Sequence, residues 1–231
     1  MFRGSERREI SRIEGFSDAV FGFALTLLVV ALEVPSSYAE LVTTMEGFFA
    51  FAICFAFIIW IWVEHFHFFR RFALEDGLTI FLNALLLFVV LFYVYPLKFL
   101  FTGLINSFTG LGSSATAGHA FDYGRQLLRI YSAGFAVVFV AFALLYLHAW
   151  RSRRKLELDA LGEHDARVGL VRHLVTAGVG VGSVLLTLVL PDRQVGLAGW
   201  FFALIGPLHG VMGYRFGSRR EKIKARLGAG S

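Results

Sequence analysis

The sequence predicts an all-α membrane protein with six membrane-spanning helices. Three observations carry that prediction. Apolar residues make up 57% of the 231 residues, 26 of them Phe, and mean hydropathy is +0.66. A soluble core of this size has no use for so much apolar surface. The apolar residues fall into runs of about 20, the length that crosses a bilayer as a helix. Most of the 22 Lys and Arg residues sit before, between or after the runs, alternately crowded and sparse. A nucleic-acid-binding domain would gather its cations on one face of a polar fold. Here the net charge of +5 is an orientation signal instead, and no nucleic acid is implied.

The spans are expected at 13–34, 41–66, 77–101, 124–149, 168–190 and 196–216, one membrane domain followed by a basic tail at 217–231. The first follows Arg3, Arg7, Arg8 and Arg12, and Ser37-Tyr38-Ala39 has the small-residue pattern of a cleavage site. Asp18 within the run, Glu33 at its end and the further spans behind it favour a retained helix. Pro35 ends it. The second span is rich in Phe and Ile and closes on IWIWVEHFHFFRR. The third begins after Glu75-Asp76, carries Asn83, and is expected to kink or stop at Pro96. Residues 102–122, rich in Gly, Ser and Thr, read as an outer loop. Arg125 and Arg129 open the fourth span near one membrane face, and the charged stretch 150–165 reads as a solvated loop or short interfacial helix. The fifth carries Gly178 and Gly182, a small-xxx-small pair suited to close helix packing. The tail is expected to fray.

With the N-terminus inside, 18 Lys and Arg fall on the cytoplasmic side and four on the other: Lys98, Arg125, Arg129 and Arg193. The asymmetry alternates correctly through all six spans, so both termini are expected in the cytoplasm.

At 100° per residue, Arg12, Phe16, Ala19, Phe23, Thr26, Leu27 and Val30 share one stripe of the first helix. Ser17 and Asp18 lie well away from it. A carboxylate at membrane depth is costly unless paired, and by default marks either a functional site or a polar anchor between helices. Counting 1.5 Å per residue from the charged ends puts Ser17, Asp18, Trp62, His65 and Asn83 at a similar depth on the cytoplasmic side. They are expected to form a buried hydrogen-bonded cluster, with indole and amide N–H groups donating to the carboxylate.

Other chemistry finds little support. Glu64, His65 and His67 are near in sequence, but residues two apart on a helix face different ways, and no matching carboxylate/His set occurs elsewhere. No metal, cofactor or nucleophile–base pair is implied, and an enzyme is not expected. The single cysteine, Cys54, lies within an apolar run.

The residues Arg12-x-x-x-Phe16-Ser17-Asp18 resemble the RxxxFSD signature of the transmembrane protein 175 family, the endosomal/lysosomal potassium channels of animals and their prokaryotic relatives. The likeness extends through residues 19–30, Trp62-x-x-His65, Asn83 and Pro96, and is specific over about residues 8–100. A single six-helix unit resembles the prokaryotic form. The resemblance implies a homotetramer in a prokaryotic cell membrane, with a central potassium-permeable pore lined by the first helix. By position, Phe23, Thr26, Leu27 and Val30 then form the constriction, the stripe that the helical wheel gives independently. Arg12, Phe16, Ser17, Asp18, Trp62, His65 and Asn83 form the network anchoring the pore helix. Phe23 stands where the family more often has Ile or Leu, and Val30 where Leu is common.

The mechanism so implied is passive conduction through an apolar neck that gates by wetting and dewetting; Glu33 either attracts cations at the outer mouth or is a solvated helix end. A secondary transporter would want several ionisable groups or broken helices at the midplane, which the first helix lacks. A non-conducting scaffold would use the stripe for oligomer packing alone.

Overall fold

The computed structural model describes residues 10–30, 36–38, 41–42, 45, 48–109, 114–191 and 194–228, with the backbone alone for 49–50, 95–109, 114–123 and 227–228. Its helices are α1 (Arg12–Val30), α2 (Phe48–Phe72), α3 (Gly77–Thr109), α4 (Ser114–Arg151), α5 (Ala160–Val189), the short α6 (Gly196–Trp200), a 3₁₀ turn (Phe201–Leu204) and α7 (Ile205–Gly228). Among the described residues six stretches are long and apolar enough to cross a membrane, the last running through α6, the 3₁₀ turn and α7. The chain is an integral membrane protein. α1, α2 and α3 pack on one another, α3 leads onto α4, and α4 with α5 makes the most extensive helix pair. α7 leans on α5.

Local chemistry sets the helix ends. Ser11 and Glu14 form a reciprocal capping box before α1: Glu14 Oε2 accepts from the Ser11 N–H at 2.9 Å and Ser11 Oγ from the Glu14 N–H at 3.2 Å. α2 closes at Ala73, whose φ of 50° is the left-handed cap usually given to glycine. Asp76 starts α3 by accepting from the Thr79 N–H at 2.9 Å and the Thr79 hydroxyl at 2.8 Å, and its other oxygen meets His148 Nε2 of α4 at 2.6 Å. Partial burial pushes the Asp76 carboxyl up, but the bonds from Thr79 and His148 outweigh it and hold the group at about 2. Asp159 caps α5 through the Gly162 N–H at 2.6 Å. Asp165 then ties three elements at one end of the bundle, meeting Arg71 of α2 at 3.0 Å and Arg220 of α7 at 3.0 Å. At the other end, Arg125 and Arg129 reach the last carbonyls of α5, with Arg125 Nη2 donating to Leu190 O at 2.7 Å and Arg129 Nη2 to Thr187 O at 3.2 Å.

Several boundaries differ from the sequence reading. α3 continues through Pro96 to Thr109, and α4 begins at Ser114, so most of 102–122 is helix rather than loop. A proline removes one backbone donor, but in a chain of membrane length the remaining ladder outweighs that single loss. α2 runs to Phe72, six residues beyond the expected end at 66, because its Phe-rich turn packs inward: Phe68, Phe69 and Phe72 are all buried. The charged stretch after Arg151 is a turn of only eight residues, since α5 starts at Ala160 rather than 168. The tail is helical to Gly228: residues 219–226 are mostly strong helix formers, and Arg220 is held by Asp165. Gly178 and Gly182 do not share an interface. A Cβ at Gly178 would meet nothing within 4 Å, whereas at Gly180 it would lie 3.0 Å from Ser132 O of α4. Gly182 instead accommodates the ring of Phe201.

Candidate pore helix and its anchors

α1 carries two faces. Ser17, Phe21, Ala24 and Leu28 are buried against α2 and α3. Phe16, Phe23 and Val30 are 63%, 55% and 68% exposed, and Arg12, Ala19 and Thr26 beside them are also exposed. Leu27, at the edge of the stripe, is half-buried. The face singled out by helical periodicity is therefore the face that the chain itself leaves uncovered. Lipid or a second copy of the chain is what remains to meet it.

The expected polar cluster forms, with its partners distributed in two branches. In the buried branch, Asn83 Nδ2 donates to Ser17 Oγ at 2.9 Å and Asn83 Oδ1 meets His65 Nε2 at 2.8 Å. An amide oxygen only accepts, so His65 carries its proton on Nε2. Ser17, His65 and Asn83 are 0%, 1% and 3% exposed. The His65 ring is further fixed by Phe21 of α1, edge-on at 5.5 Å between centroids, and by Phe69 at 4.5 Å. In the second, outer branch Trp62 Nε1 donates to Asp18 Oδ1 at 2.8 Å. The amide and imidazole thus serve Ser17 and each other, and the indole alone among the expected donors reaches the carboxylate. Trp62 and His65, three apart on α2, both face α1 and α3, so one turn of α2 is bonded to α1 through Trp62 and to α3 through His65.

Arg12 and Phe16 do not join this cluster. Both lie on the uncovered face, and Arg12 has no hydrogen-bond or ion-pair partner among the described residues. Thr26 Oγ1 donates to Gly22 O at 2.9 Å. That bond occupies its proton and leaves the oxygen lone pairs free on the exposed face. Glu33 and Pro35 fall outside the described residues.

The sequence reading missed a second polar centre. Glu64, weighed from the sequence for metal binding and as an ionisable group away from the midplane, contacts Arg172 of α5, with His173 Nε2 3.6 Å away. The signal was present, since an acid and a base each sit inside an apolar run and each needs a counter-charge. Among the described residues no group of three or more His, Cys, Asp or Glu is arranged to hold a metal ion.

Comparison with known proteins bears on this geometry. The family model described as the endosomal/lysosomal potassium channel TMEM175 matches residues 12–93, the stretch holding the uncovered stripe and both branches of the cluster. A protein of Marivirga tractuosa named a potassium channel is 36% identical over 96% of this chain and 92% of its own length. One from Chamaesiphon minutus, also named a potassium channel, is 30% identical over 66% of this chain and 92% of its length. A crystal structure of a variant of the potassium channel MtTMEM175, bound to a nanobody–MBP fusion, superposes with a TM-score of 0.80 at 34% identity. It covers 95% of this chain and 97% of that one. A structure described as a lysosomal potassium-selective channel TMEM175 homologue from Chamaesiphon minutus gives 0.57 at 26% identity, covering 90% of this chain and 96% of that one. On the full-length likeness and the match over α1 to α3, the chain belongs to the TMEM175 family.

Proposed function

We propose that the chain is a potassium-permeable cation channel of bacterial cell membranes, a homotetramer with α1 of each subunit lining one central pore. The observation that carries this reading is the uncovered stripe of α1. An apolar face with one hydroxyl, left open by its own chain in a family of channels, suits a narrow conduit. Both termini lie in the cytoplasm, as the 18-to-four distribution of Lys and Arg indicates.

The constriction runs from Phe23 through Thr26 and Leu27 to Val30, about 10 Å along the helix. A neck that narrow and apolar expels water, so a hydrated cation does not enter until the four helices shift outward or rotate. Phe23 is the bulkiest element, and four rings close more firmly than Leu or Ile would. When the neck wets, the Thr26 oxygens replace part of the ion's hydration, because their protons are engaged with the Gly22 carbonyls. Ring faces of Phe23 attract a cation as it passes. Glu33, three residues past Val30, adds negative charge towards the outer mouth. Conduction is passive and follows the electrochemical gradient. Ser17, Asp18, Trp62, His65 and Asn83 hold the helix in register, and Arg12 and Phe16 complete the anchoring from the face that meets neighbouring subunits.

The test is potassium flux into liposomes from purified protein, comparing wild type with Phe23→Ala. Flux in the wild type that changes with Phe23→Ala is the expected result. Flux in the variant alone places the closed gate at the Phe23 ring. No flux from either, with tetramer confirmed, overturns the channel reading and leaves a scaffold. Uphill exchange coupled to a second ion would make it a transporter.

A further inference from the structure

We propose that the Glu64–Arg172–His173 cluster is a positioning site for α1, acting through α2 from the opposite side of the subunit. The inference rests on the pore reading above and adds to it residues that touch neither the pore helix nor the ion.

Glu64 sits in the same turn of α2 as Trp62 and His65. At 100° per residue, Trp62 and His65 lie about 60° apart, while Glu64 points at least 100° away from either. The structure realises this split. Trp62 and His65 bind α1 and α3, and Glu64 turns to α5, where its carboxylate contacts the Arg172 guanidinium. α2 is thus wedged between the pore helix and the outer helices, with charge on one side and hydrogen bonds on the other.

The bed under the cluster is closely packed. His173 is 1% exposed, and its ring lies against Phe142 and Tyr146 of α4, each at 5.0 Å between centroids, and against Phe139 at 5.9 Å. Thr176, one turn along α5, donates to Arg172 O at 2.9 Å and meets His209 Nε2 of α7 at 2.8 Å. A chain of polar contacts therefore runs from α7 through α5 to α2, and on to α1.

Arg172 Nε and both ring nitrogens of His173 have no hydrogen-bond partner among the described residues. Glu64, buried to 9% exposure, is the anion that these groups face. Buried polar groups are usually hydrogen-bonded, and an ion pair with unsatisfied atoms is an exception. This one is held together by one carboxylate, so its geometry is set by where that carboxylate stands, and the carboxylate stands on α2. Removing the charge frees α2 to turn, and with it the Trp62 and His65 anchors.

The experiment measures potassium flux per tetramer, and the potassium-to-sodium permeability ratio, in liposomes. The variants are Glu64→Gln, Arg172→Gln and the two together, each also made in the Phe23→Ala background. With tetramer retained, each single change alters flux by roughly fivefold or more, the range of ordinary coupling between sites. The permeability ratio shifts with it, which loss of folded protein alone does not produce. The double variant is no worse than the more affected single one, because the pair acts as a unit. In the Phe23→Ala background, with the bulkiest ring of the constriction already removed, the Glu64→Gln effect shrinks. Tetrameric Glu64→Gln that conducts and discriminates as wild type does overturns the proposal, as does an undiminished effect in the Phe23→Ala background. If Glu64→Gln does not assemble, Glu64→Asp, which keeps the charge but withdraws it by one carbon, is read by the same criteria. Failure of the pore reading shows separately, as Phe23→Ala flux equal to wild type, while Glu64→Gln against wild type still tests the positioning.

Discussion

Replacing Asn83 by Leu removes the centre of the buried branch while keeping the side chain's approximate volume. Two hydrogen bonds go at once, to Ser17 Oγ at 2.9 Å and to His65 Nε2 at 2.8 Å. Both partners are fully buried, so neither recovers a bond from water. In a soluble core, leaving each unsatisfied would cost about 1–3 kcal/mol. At membrane depth measured side-chain hydrogen bonds average nearer 0.6 kcal/mol, because the unfolded helices also find partners in the bilayer. The Ser17 hydroxyl can also turn to its own backbone, which recovers part of the loss. The expected destabilisation is therefore about 1–3 kcal/mol in total, at the upper end if the imidazole N–H stays unpaired. Trp62→Phe breaks one bond, to a carboxylate that is already exposed, and is expected to cost under about 1 kcal/mol. The assay is reversible unfolding in mixed detergent micelles, followed by tryptophan fluorescence, with tetramer content read by size-exclusion chromatography. Asn83→Leu within 0.5 kcal/mol of wild type, or Trp62→Phe costing more than Asn83→Leu, would refute the assignment of the buried branch as the stronger anchor; the 0.5 is roughly the scatter expected of a neutral substitution.

Further outcomes follow from the same contacts. Gly178→Ala, with nothing within 4 Å of the new Cβ, is expected to stabilise by up to about 1 kcal/mol through helix propensity. Gly180→Ala, whose Cβ would lie 3.0–3.1 Å from Ser132 O and Ala136, is expected to destabilise by about 1–3 kcal/mol. Paired thermal melts of the two variants check the difference. The Asp76 carboxyl is depressed to about 2 in the folded protein, so its stabilising contribution is present above its unfolded value of 3.8 and is lost as pH falls towards 2. Asp76→Asn is expected to lower the melting temperature at pH 6 and to remove part of the fall between pH 4 and 2; identical profiles for the two proteins would contradict this.

What the sequence made legible, and what it did not, divides along a physical line. Axial position along a helix is a matter of counting residues, and counting correctly brought Ser17, Asp18, Trp62, His65 and Asn83 to one depth. Periodicity likewise marked the stripe from Arg12 to Val30 before the uncovered face was seen. Azimuth between helices is not in the count. Nothing local told that the Asn83 amide turns to Ser17 rather than to Asp18. The pairing of Glu64 with Arg172, 108 positions apart, needed α2 and α5 brought together. The expected alternative of a stop at Pro96 failed because its cost is judged from helices in water, where a broken ladder is rehydrated cheaply. Within an apolar segment the chain has no such outlet, and the helix continues to Thr109. Gly178, Gly180 and Gly182 lie in one run, and only the packed structure distinguishes the one that meets Ser132 O from the one that meets nothing.

The placement of the anchors bears on how the stripe could move. The polar attachments of α1 to α2 and α3 are at Ser17 and Asp18, near its start. From Phe23 to Val30, the Thr26–Gly22 bond lies within α1 itself, and the packing against α2 and α3 is by apolar side chains such as Ala24 and Leu28. The proposed gate segment begins about 8 Å beyond the anchors and ends about 18 Å beyond them. A few degrees of tilt about the anchored turn therefore displaces the far end by an ångström or two, on the order of what a dewetted neck needs to fill. Such a tilt slides apolar surfaces past one another and breaks none of the bonds to Trp62 or Asn83. A helix fastened at one end by directional bonds and held at the other by non-directional packing has a defined register and a soft far end. The Asp18 and Ser17 contacts supply the first property, and Ala24 and Leu28 permit the second.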